Sequence, residues 1–386
     1  MTLPAPTTDA LAHSNRLTEH LQQQVHAAGG WLSFASFMDG LLYAPGLGYY
    51  TAGARKFGAA GDFVTAPEIS PLFGRAIARQ VAEIMAASAP NILEVGAGSG
   101  RLAADVLAEL ARCGQLPEHY FILDVSADLR ERQRATLAAS VPELLARVEW
   151  LDELPAQFSG VVLANELLDA MPAHLLSWQA DGVVEKGVSL DADGRFVWAG
   201  RPAVGAVLEA AREVAGQCAP DFGYESEISL ANRAWAAEWG HRLKKGALLL
   251  LDYGFPRREY YHPQRNSGTL MCHYRHHAHP DPFYLPGLQD VTVHVDFTAI
   301  IAAADAAGLD LLGYTNQGQF LLNCGILDRL GEVGPTGSAD YIRASAAINQ
   351  LIMPHEMGEL FKVISIGRGI DPVLCGFSSG DQSHRL

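Results

Sequence analysis

One glycine-rich stretch between an apolar run and a helical pattern constrains this chain more than any other feature. The stretch reads Ile92-Leu93-Glu94-Val95-Gly96-Ala97-Gly98-Ser99-Gly100-Arg101-Leu102. Residues 91–95 predict a short strand, and residues 102–113 predict a helix. Glycines between a strand and a helix allow a tight turn and a close approach of the backbone to a ligand, which then faces the helix N-terminus. The stretch therefore predicts a cofactor site on an α/β sheet.

The same alternation of apolar strands and helices continues along the chain. Strands are predicted at 91–95, 120–125, 148–151, 160–165 and 247–253, with closing strands at 309–314, 319–322 and 361–366. Helices are predicted at 8–29, 33–43, 73–88, 102–113, 127–139, 208–218, 230–243 and 296–307. Apolar strands that alternate with helices indicate a parallel sheet covered on both faces.

Two stretches interrupt this alternation. Residues 174–204 carry Asp-Gly turns between strand-like runs, which predicts a small β excursion. Residues 255–290 are rich in Pro, His, Arg and Tyr, which predicts a long functional loop. The predicted organisation is an N-terminal helical extension with an active-site loop (1–88), a cofactor-binding core (89–173), the β excursion with helices (174–245), a core strand (246–254), a lid loop (255–295) and the C-terminal part of the sheet (296–386).

Charge and cysteine usage narrow the functional classes. The chain has 28 basic and 43 acidic side chains, a formal net charge of -15, which argues against nucleic acid as a partner because phosphate binding needs cations. Five cysteines without a CxxC pair are typical of a reducing compartment. The first fifteen residues resemble neither a secretory signal nor a transit peptide, and no apolar run is long enough to span a bilayer. We therefore expect a cytoplasmic protein without membrane insertion.

The spacing of the glycines separates two classes of cofactor. A nicotinamide or flavin site prefers G-x-G-x-x-G, whereas Gly96, Gly98 and Gly100 form G-x-G-x-G. Glu94, just before the loop, suits a cofactor that carries an amino acid group. The glycine spacing therefore argues against an NAD-dependent oxidoreductase. The alternative to a cofactor-binding role is that the loop is only a structural turn.

Residues at the ends of the following strands complete the predicted cofactor site. Asp124 ends the second strand, where a carboxylate can accept hydrogen bonds from both ribose hydroxyls. At the end of the third strand, Leu151 can stack on adenine and Asp152 can accept from its amino group. The alternative for both acids is an ordinary solvated position at a strand end. The predicted cofactor-binding residues are Glu94, Gly96, Ala97, Gly98, Gly100, Asp124, Val125, Leu151, Asp152 and Asn165.

The fourth strand ends in Asn165 and is followed by two acids. Ligands of open α/β sheets bind outside the carboxyl ends of the strands, so this segment is expected to face the reacting group. Glu166 and Asp169 are three residues apart and share one face if a helical turn begins here. Two carboxylates can hold a guanidinium through bidentate hydrogen bonds, and helix capping is the alternative role.

Motifs spread over nearly the whole chain resemble one known family. They are Leu42-Tyr43-Ala44-Pro45-Gly46-Leu47-Gly48-Tyr49-Tyr50, Gly61-Asp62-Phe63-Val64-Thr65-Ala66-Pro67-Glu68-Ile69-Ser70, Ala164-Asn165-Glu166-Leu167-Leu168-Asp169, Leu251-Asp252-Tyr253-Gly254, Gly268-Thr269-Leu270, and residues 290–297 and 357–363. On these motifs the chain resembles the MidA group of methyltransferases. Relatives often carry phenylalanines where this chain has Leu167 and Leu168, a departure that leaves both acids in place.

The resemblance implies a class I, Rossmann-like methyltransferase. Its fold would be a seven-stranded, mostly parallel sheet with helices on both faces, an N-terminal helical extension and inserted lid segments. The implied cofactor is S-adenosylmethionine, with S-adenosylhomocysteine as product and no metal. The implied reaction is methylation of an arginine in a protein, with a subunit of a respiratory NADH dehydrogenase as a partner. Apolar, aromatic N-terminal segments would also suit a homodimer.

The resemblance also assigns candidate roles to acids. Glu166 is the first candidate catalytic carboxylate, and Asp169 is the second. The implied approach of residues 61–70 to the active site makes Thr65 and Glu68 candidate cofactor or substrate contacts. Glu225 is a further candidate substrate contact that could equally be a helix cap or a surface acid.

Two other classes stay open. One is a non-catalytic, chaperone-like assembly factor that binds the cofactor, or a partner protein, without turnover on the same fold. The other is a zinc site in the His-rich stretch, whose spacing matches no closed four-ligand pattern. Its potential ligands are His262, Cys272, His273, His276, His277, His279 and His294.

Overall fold

The structure is a computed structural model that describes residues 3–52, 65–371 and 373–386. Within these ranges the β-strands are β1 (Leu32–Ser33), β2 (Asn91–Val95), β3 (His119–Leu123), β4 (Val148–Leu151), β5 (Phe158–Asn165), β6 (His174–Gln179), β7 (Gly182–Leu190), β8 (Phe196–Pro202), β9 (Tyr224–Ile228), β10 (Leu243–Phe255), β11 (Met271–Tyr274), β12 (His277–His279), β13 (Asp290–Thr292), β14 (Val295–Asp296), β15 (Asp310–Asn316) and β16 (Phe361–Arg368). The α-helices are α1 (Thr8–Ala27), α2 (Phe34–Tyr43), α3 (Ala66–Ile69), α4 (Pro71–Ala87), α5 (Arg101–Arg112), α6 (Ala127–Ser140), α7 (Gly205–Cys218), α8 (Leu230–Arg242), α9 (Arg257–Tyr260), α10 (Phe297–Ala306), α11 (Gln317–Asn323), α12 (Ile326–Gly331), α13 (Ala339–Ile352) and α14 (Met357–Leu360).

The described residues divide into two compact units. The first unit contains residues up to 52 together with Leu168–Trp235 and Phe255–Asp296. The second unit contains residues 65–167, Ala236–Gly254 and Phe297–Leu386. The predicted cofactor loop and the fourth strand both belong to the second unit.

The second unit is built on a mixed sheet. Among the residues of this unit that the structure describes, strands lie in the order β15-β16-β10-β5-β2-β3-β4. The five strands from β10 to β4 are mutually parallel, whereas β16 runs antiparallel to both of its neighbours. The predicted α/β class is therefore confirmed.

Burial along the strands shows that both faces of this sheet are covered. Every residue from Ala247 to Asp252 of β10 is buried, and successive strand residues point to opposite faces. Helix α4 packs on α5 at Gly74, where an added Cβ would lie 2.6 Å from Asp105 Cβ. This close helix contact helps to fix the position of α5, the helix that follows the glycine loop.

The first unit contains an antiparallel sheet with the strand order β1-β7-β6-β9, and β8 pairs with β7. The β excursion predicted at 174–204 is thus confirmed as the three strands β6, β7 and β8. Its core includes a group of aromatic rings, in which Phe37 lies 5.0 Å from Phe196 and 5.6 Å from Phe283 between ring centroids.

The strand predicted at 319–322 is wrong, because these residues lie within helix α11. A short apolar run does not distinguish a buried strand from a buried helix. The local signal is the cap: the side chain of Asn316 accepts a hydrogen bond from the backbone N–H of Gln319 at 2.8 Å. Asn is among the preferred residues at this position.

The long loop predicted at 255–290 is also wrong in part. The structure places helix α9 and strands β11, β12 and β13 within or at the end of this stretch. The turn between β11 and β12 consists of Arg275 and His276, which both have positive φ values of 48° and 62°. Such two-residue hairpin turns usually carry Asn or Gly, so this sequence gave no turn signal.

No helix in the part of the chain that the structure describes has the length and apolar character needed to cross a membrane.

Candidate functional site

The glycine loop joins β2 to α5 in a conformation that favours glycine. Gly96, Gly98 and Gly100 have φ values of 73°, 53° and 80°. At Gly100, an added Cβ would lie 2.9 Å from Gln133 Cα, and at Gly96 it would lie 3.1 Å from a methyl group of Leu167. The backbone angle therefore favours glycine at all three positions, and at Gly100 the neighbouring backbone of Gln133 also leaves no space for a Cβ.

Gln133 of α6 ties this loop to two neighbouring strands. Its side-chain amide donates to Gly98 O at 3.1 Å and to Asp124 Oδ2 at 2.8 Å, and its carbonyl accepts from Trp150 Nε1 at 2.9 Å. The residue is fully buried. Sequence reasoning missed it, although Leu129, Gln133 and Leu137 share a spacing of four that places a polar residue in a buried stripe.

Asp124 is oriented by its neighbours after the end of β3. The side chain is buried, and its Oδ1 accepts the backbone N–H of Ser126 at 2.9 Å. The next residue, Val125, is 71% exposed. The oriented carboxylate of Asp124 can accept hydrogen bonds from the hydroxyl groups of a nucleoside, and the exposed side chain of Val125 can pack against its flat base.

Arg130 links the ends of β3 and β4. It donates to Asp124 O at 2.8 Å, pairs with Asp152 Oδ1 at 2.7 Å and donates to Leu151 O. The side chain of Asp152 is 91% exposed, so this ion pair contributes little to stability. Contacts of Leu151 and Asp152 with adenine stay predictions.

Glu94 is a buried carboxylate at the base of the loop. It accepts a hydrogen bond from Tyr120 Oη at 2.6 Å. The pKa of Glu94 is raised to about 7: burial raises it most, the hydrogen bond from Tyr120 lowers it in part, and the nearby charge of Asp124 adds a smaller rise.

The pKa of Glu94 predicts how stability depends on pH. Because the folded pKa of about 7 lies above the ordinary value of 4.5, the contribution of Glu94 is fully present below pH 4.5 and is lost as the pH rises through 7. Relative to Glu94→Gln, the free energy of unfolding of the wild type should fall by about 3 kcal/mol between pH 4.5 and pH 8. Urea unfolding of both proteins across this range measures the difference, and parallel pH profiles would contradict the assignment.

Glu68 contacts the glycine loop from helix α3. The hydroxyl of Ser99 donates to the Glu68 carboxylate. Thr65 precedes this helix, is partly buried, and accepts the N–H of Glu68 at its carbonyl at 2.9 Å. Residues 61–64, also predicted to approach the site, lie outside the described residues.

Glu166 follows β5 in an unusual backbone conformation. Its φ is +52°, so no helical turn begins at Glu166, and the condition under which Glu166 and Asp169 would share one helix face is not met. The N–H of Glu166 donates to Leu251 O of the adjacent strand at 2.9 Å, which holds the chain in this turn. The side-chain amide of Asn165 donates to Glu166 Oε1 at 3.1 Å, while Asn165 Oδ1 is buried without a hydrogen-bond partner among the described residues.

Two predicted acids belong to the first unit. Asp169 is buried, and its carbonyl accepts the N–H of Val293 at 3.0 Å. Burial, followed by the charges of Asp290 and Asp169, raises the pKa of Tyr50 well above its usual range. Glu225 lies in strand β9 and pairs with Lys186 at 2.7 Å, so it is not a helix cap.

No group of three or more His, Cys, Asp or Glu side chains in residues 3–52, 65–371 and 373–386 is arranged to hold a metal ion.

Comparison with known proteins assigns this geometry to a family. Residues 76–315, more than half of the chain, match the family described as S-adenosyl-L-methionine-dependent methyltransferase. This chain belongs to that family. The predicted family and its cofactor, S-adenosylmethionine, are thereby confirmed.

Individual relatives extend the similarity to nearly the whole methyltransferase chain. Mitochondrial protein arginine methyltransferase NDUFAF7 from Danio rerio is 30% identical, with 91% of this chain and 86% of that protein covered. Its Homo sapiens counterpart is 28% identical over 91% of this chain and 83% of its own. A crystal structure from Burkholderia thailandensis, of a protein proposed to be a methyl transferase and bound to S-adenosyl-homocysteine, is 51% identical with a TM-score of 0.96, and both chains are covered completely.

The residues of the second unit fit the cofactor of this methyltransferase family. The three left-handed glycines turn the chain tightly between β2 and α5. The buried Oδ1 of Asn165, at the end of the neighbouring strand β5, can accept a hydrogen bond from a ligand. Asp124 and Val125 together present an acceptor and an apolar surface at the end of the next strand.

Gln133 should contribute to cofactor affinity through the loop. Gln133→Ala removes the donor to Gly98 and Asp124 and leaves Trp150 Nε1 without its acceptor. We expect S-adenosylhomocysteine to bind about tenfold more weakly, since each lost buried hydrogen bond costs about 1 kcal/mol. Calorimetric titration measures this change, and an unaltered affinity in the folded variant would show that the loop does not depend on Gln133.

Proposed function

We propose that this methyltransferase transfers the methyl group of S-adenosylmethionine to an arginine side chain of a protein. The curated relatives from fish and mammals are named as protein arginine methyltransferases. The chain also has a carboxylate, Glu166, at the end of a strand adjacent to β2, which leads into the cofactor loop. Both observations favour a positively charged group as the acceptor of the methyl group.

The observation that carries the proposal is the conformation of Glu166. A positive φ is uncommon for residues other than glycine, and such strain concentrates at functional sites. Among the described non-glycine residues with positive φ, Glu166 is the only carboxylate. It follows a parallel strand, at the sheet edge where ligands of α/β folds bind. The hydrogen bond from Asn165 orients the carboxylate further.

The chemistry requires alignment more than acid–base catalysis. Bound S-adenosylmethionine supplies a methyl group that is activated by its attachment to a positively charged sulfur. Glu166 would accept hydrogen bonds from two N–H groups of the guanidinium and so hold the remaining nitrogen in line with the methyl carbon. The carboxylate also draws positive charge toward the nitrogens that it binds, which leaves the acceptor nitrogen more nucleophilic. In the transfer, the guanidinium nitrogen would form its bond to the methyl carbon as the carbon–sulfur bond breaks, which would give S-adenosylhomocysteine, and the extra proton on that nitrogen would then pass to water.

Other predicted contacts are part of this proposal. Asp169 would be a second carboxylate for the acceptor, and Thr65, Glu68 and Glu225 would contact the substrate. The seven-stranded form of the methyltransferase sheet, the NADH dehydrogenase-type partner, the homodimer and the cytoplasmic location also stay proposals.

Transfer from methyl-labelled S-adenosylmethionine to matched peptides tests the acceptor class. One peptide contains Gly-Arg-Gly repeats, and the control peptide replaces each arginine with lysine. We expect label in the first peptide alone, with mass spectrometry placing the added methyl group on the guanidinium. Label on lysine, or on neither peptide while the enzyme labels another class of acceptor, would overturn the arginine assignment.

A further inference from the structure

A buried carboxylate at the end of β10 holds the turn that carries Glu166. We propose that Asp252 is a positioning residue for methyl transfer, fixing the backbone of Glu166 and Leu167 so that the Glu166 carboxylate is correctly aimed. The catalytic part of this inference rests on the proposed function of Glu166.

One neighbouring strand, β10, holds two consecutive amides of the turn. In the parallel pair of β5 and β10, Asn165 lies opposite Leu251, and the next N–H, that of Glu166, donates to Leu251 O at 2.9 Å. The following N–H, that of Leu167, donates to Asp252 Oδ2 at 3.2 Å. The backbone of β10 and the side chain of Asp252 together therefore continue the strand pairing past the end of β5.

The second oxygen of the same carboxylate is also engaged. Asp252 Oδ1 accepts the N–H of Tyr253 at 2.9 Å, and Asp252 is 1% exposed. One buried side chain thus bridges the backbones of the two strand ends. A neutral side chain of the same shape has one acceptor oxygen in place of two, so it cannot keep both bonds in this geometry.

The turn needs such a bridge because its conformation is unfavourable. Glu166 has a φ of +52°, where the Cβ of an L-residue crowds its own backbone. A left-handed residue persists only where its surroundings impose it. The bonds to Leu251 O and Asp252 lie on either side of the Glu166 Cα, so loss of the Asp252 bond would let the turn relax.

The neighbouring strand β16 provides a positive charge on the same face of the sheet as Asp252. Lys362 of β16 lies directly opposite Asp252 in antiparallel register and is 1% exposed. Its ammonium group donates to Glu359 O and lies 3.6 Å from Glu359 Oε1. A buried carboxylate is tolerated where hydrogen bonds and opposite charge compensate for its loss of hydration.

Glu109 offers a matched control in the same unit. It is another buried acid, in α5, and it pairs with Arg75, Arg112 and Arg329 at distances of 2.7 to 3.0 Å. Its partners belong to helices and not to the Glu166 turn. Glu109→Gln should therefore reproduce the loss of a buried charge without moving Glu166.

The experiment compares Asp252→Asn and Glu109→Gln in the full-length enzyme, with the Gly-Arg-Gly peptide as methyl acceptor. We expect Asp252→Asn to reduce kcat about 30- to 100-fold, since a small misplacement of an aligned group has effects of this size, with S-adenosylhomocysteine affinity within about threefold of wild type. Glu109→Gln should lower the melting temperature but leave kcat within about threefold. Equal losses of kcat in both variants, or unchanged kcat in Asp252→Asn, would overturn a positioning role.

A measurement without substrate separates this inference from the proposed function. Labelling with ¹⁵N-leucine makes the Leu167 amide visible by NMR, and a Leu167→Ile variant assigns its resonance. The hydrogen-exchange rate of this amide should be at least about tenfold faster in Asp252→Asn than in wild type or Glu109→Gln. If the wild type methylates no arginine peptide but the exchange rates differ as expected, the arginine assignment fails and Asp252 still holds the turn. Identical exchange rates in all three proteins would overturn the inference whatever the substrate.

Discussion

Replacing Glu166 with glutamine is expected to reduce methyl transfer to an arginine peptide by about 100-fold or more. Glutamine keeps the size of the side chain but removes the negative charge and one of the two acceptor oxygens that a guanidinium would bind. The residue lies at the end of β5, whereas the glycine loop follows β2. S-adenosylhomocysteine should therefore bind within about threefold of wild-type affinity, so that the loss appears in kcat.

The control for this variant is Glu149→Gln. Glu149 belongs to the same unit but is exposed and pairs with His119 at the surface. Its substitution should leave both kcat and cofactor affinity unchanged. If Glu166→Gln and Glu149→Gln are equally active, Glu166 is not the carboxylate that positions the acceptor, and the case for an arginine substrate loses its structural support.

Gly100→Val should abolish cofactor binding. The φ of Gly100 is +80°, which costs a β-branched residue about 1–2 kcal/mol, and the new Cβ would lie 2.9 Å from Gln133 Cα. Helix α6 cannot move away without breaking the bonds of Gln133 to Gly98 and Asp124. The loop must therefore shift, and we expect S-adenosylhomocysteine affinity to fall by about 100-fold or more in equilibrium dialysis.

Gly114→Val is the control that distinguishes the steric clash at Gly100 from the backbone strain of a positive φ. Gly114 has a φ of +67° after the end of α5, and nothing lies within 4 Å of the Cβ that it would gain. This variant should lose stability by a similar strain but bind the cofactor as the wild type does. Equal loss of binding in both variants would mean that general destabilisation, and not the loop, accounts for the effect.

The sequence was informative where the chemistry is local. The glycine loop, the strand before it and the helix after it follow from residue type and spacing, and the structure places them as predicted. The position of Asp124 after β3 was likewise predictable, because the end of a parallel strand is a fixed place in this class of fold. Its contact with the cofactor stays a prediction. The β excursion followed from its Asp-Gly turns.

Features that depend on packing between distant segments were not predictable in the same way. The run 319–322 became a helix because α11 packs its buried face in the core, and its apolar pattern is compatible with either structure. The Arg275-His276 turn adopts positive φ values without the usual residues. The left-handed Glu166 is imposed by β10 and Asp252, which are far away in sequence.

Side chains that support the site were found only in the structure. Gln133 and Tyr120 act through hydrogen bonds to residues from other elements, and neither belongs to a motif. Asp252 differs from them because it belongs to a motif of the resemblance, but that motif gave it no role. Sequence spacing identifies groups that face a ligand more readily than groups that hold them.

The most direct test of the central claim is calorimetric titration of the full-length protein with S-adenosylhomocysteine, with Asp124→Ala as the comparison. We predict a micromolar dissociation constant for the wild type and a sharp loss of affinity in the variant, because Asp124 is the oriented carboxylate after β3. Absence of binding to well-folded wild type would contradict a self-sufficient methyltransferase site and would favour an assembly factor. Unchanged binding in Asp124→Ala would contradict the placement of the cofactor at this sheet edge.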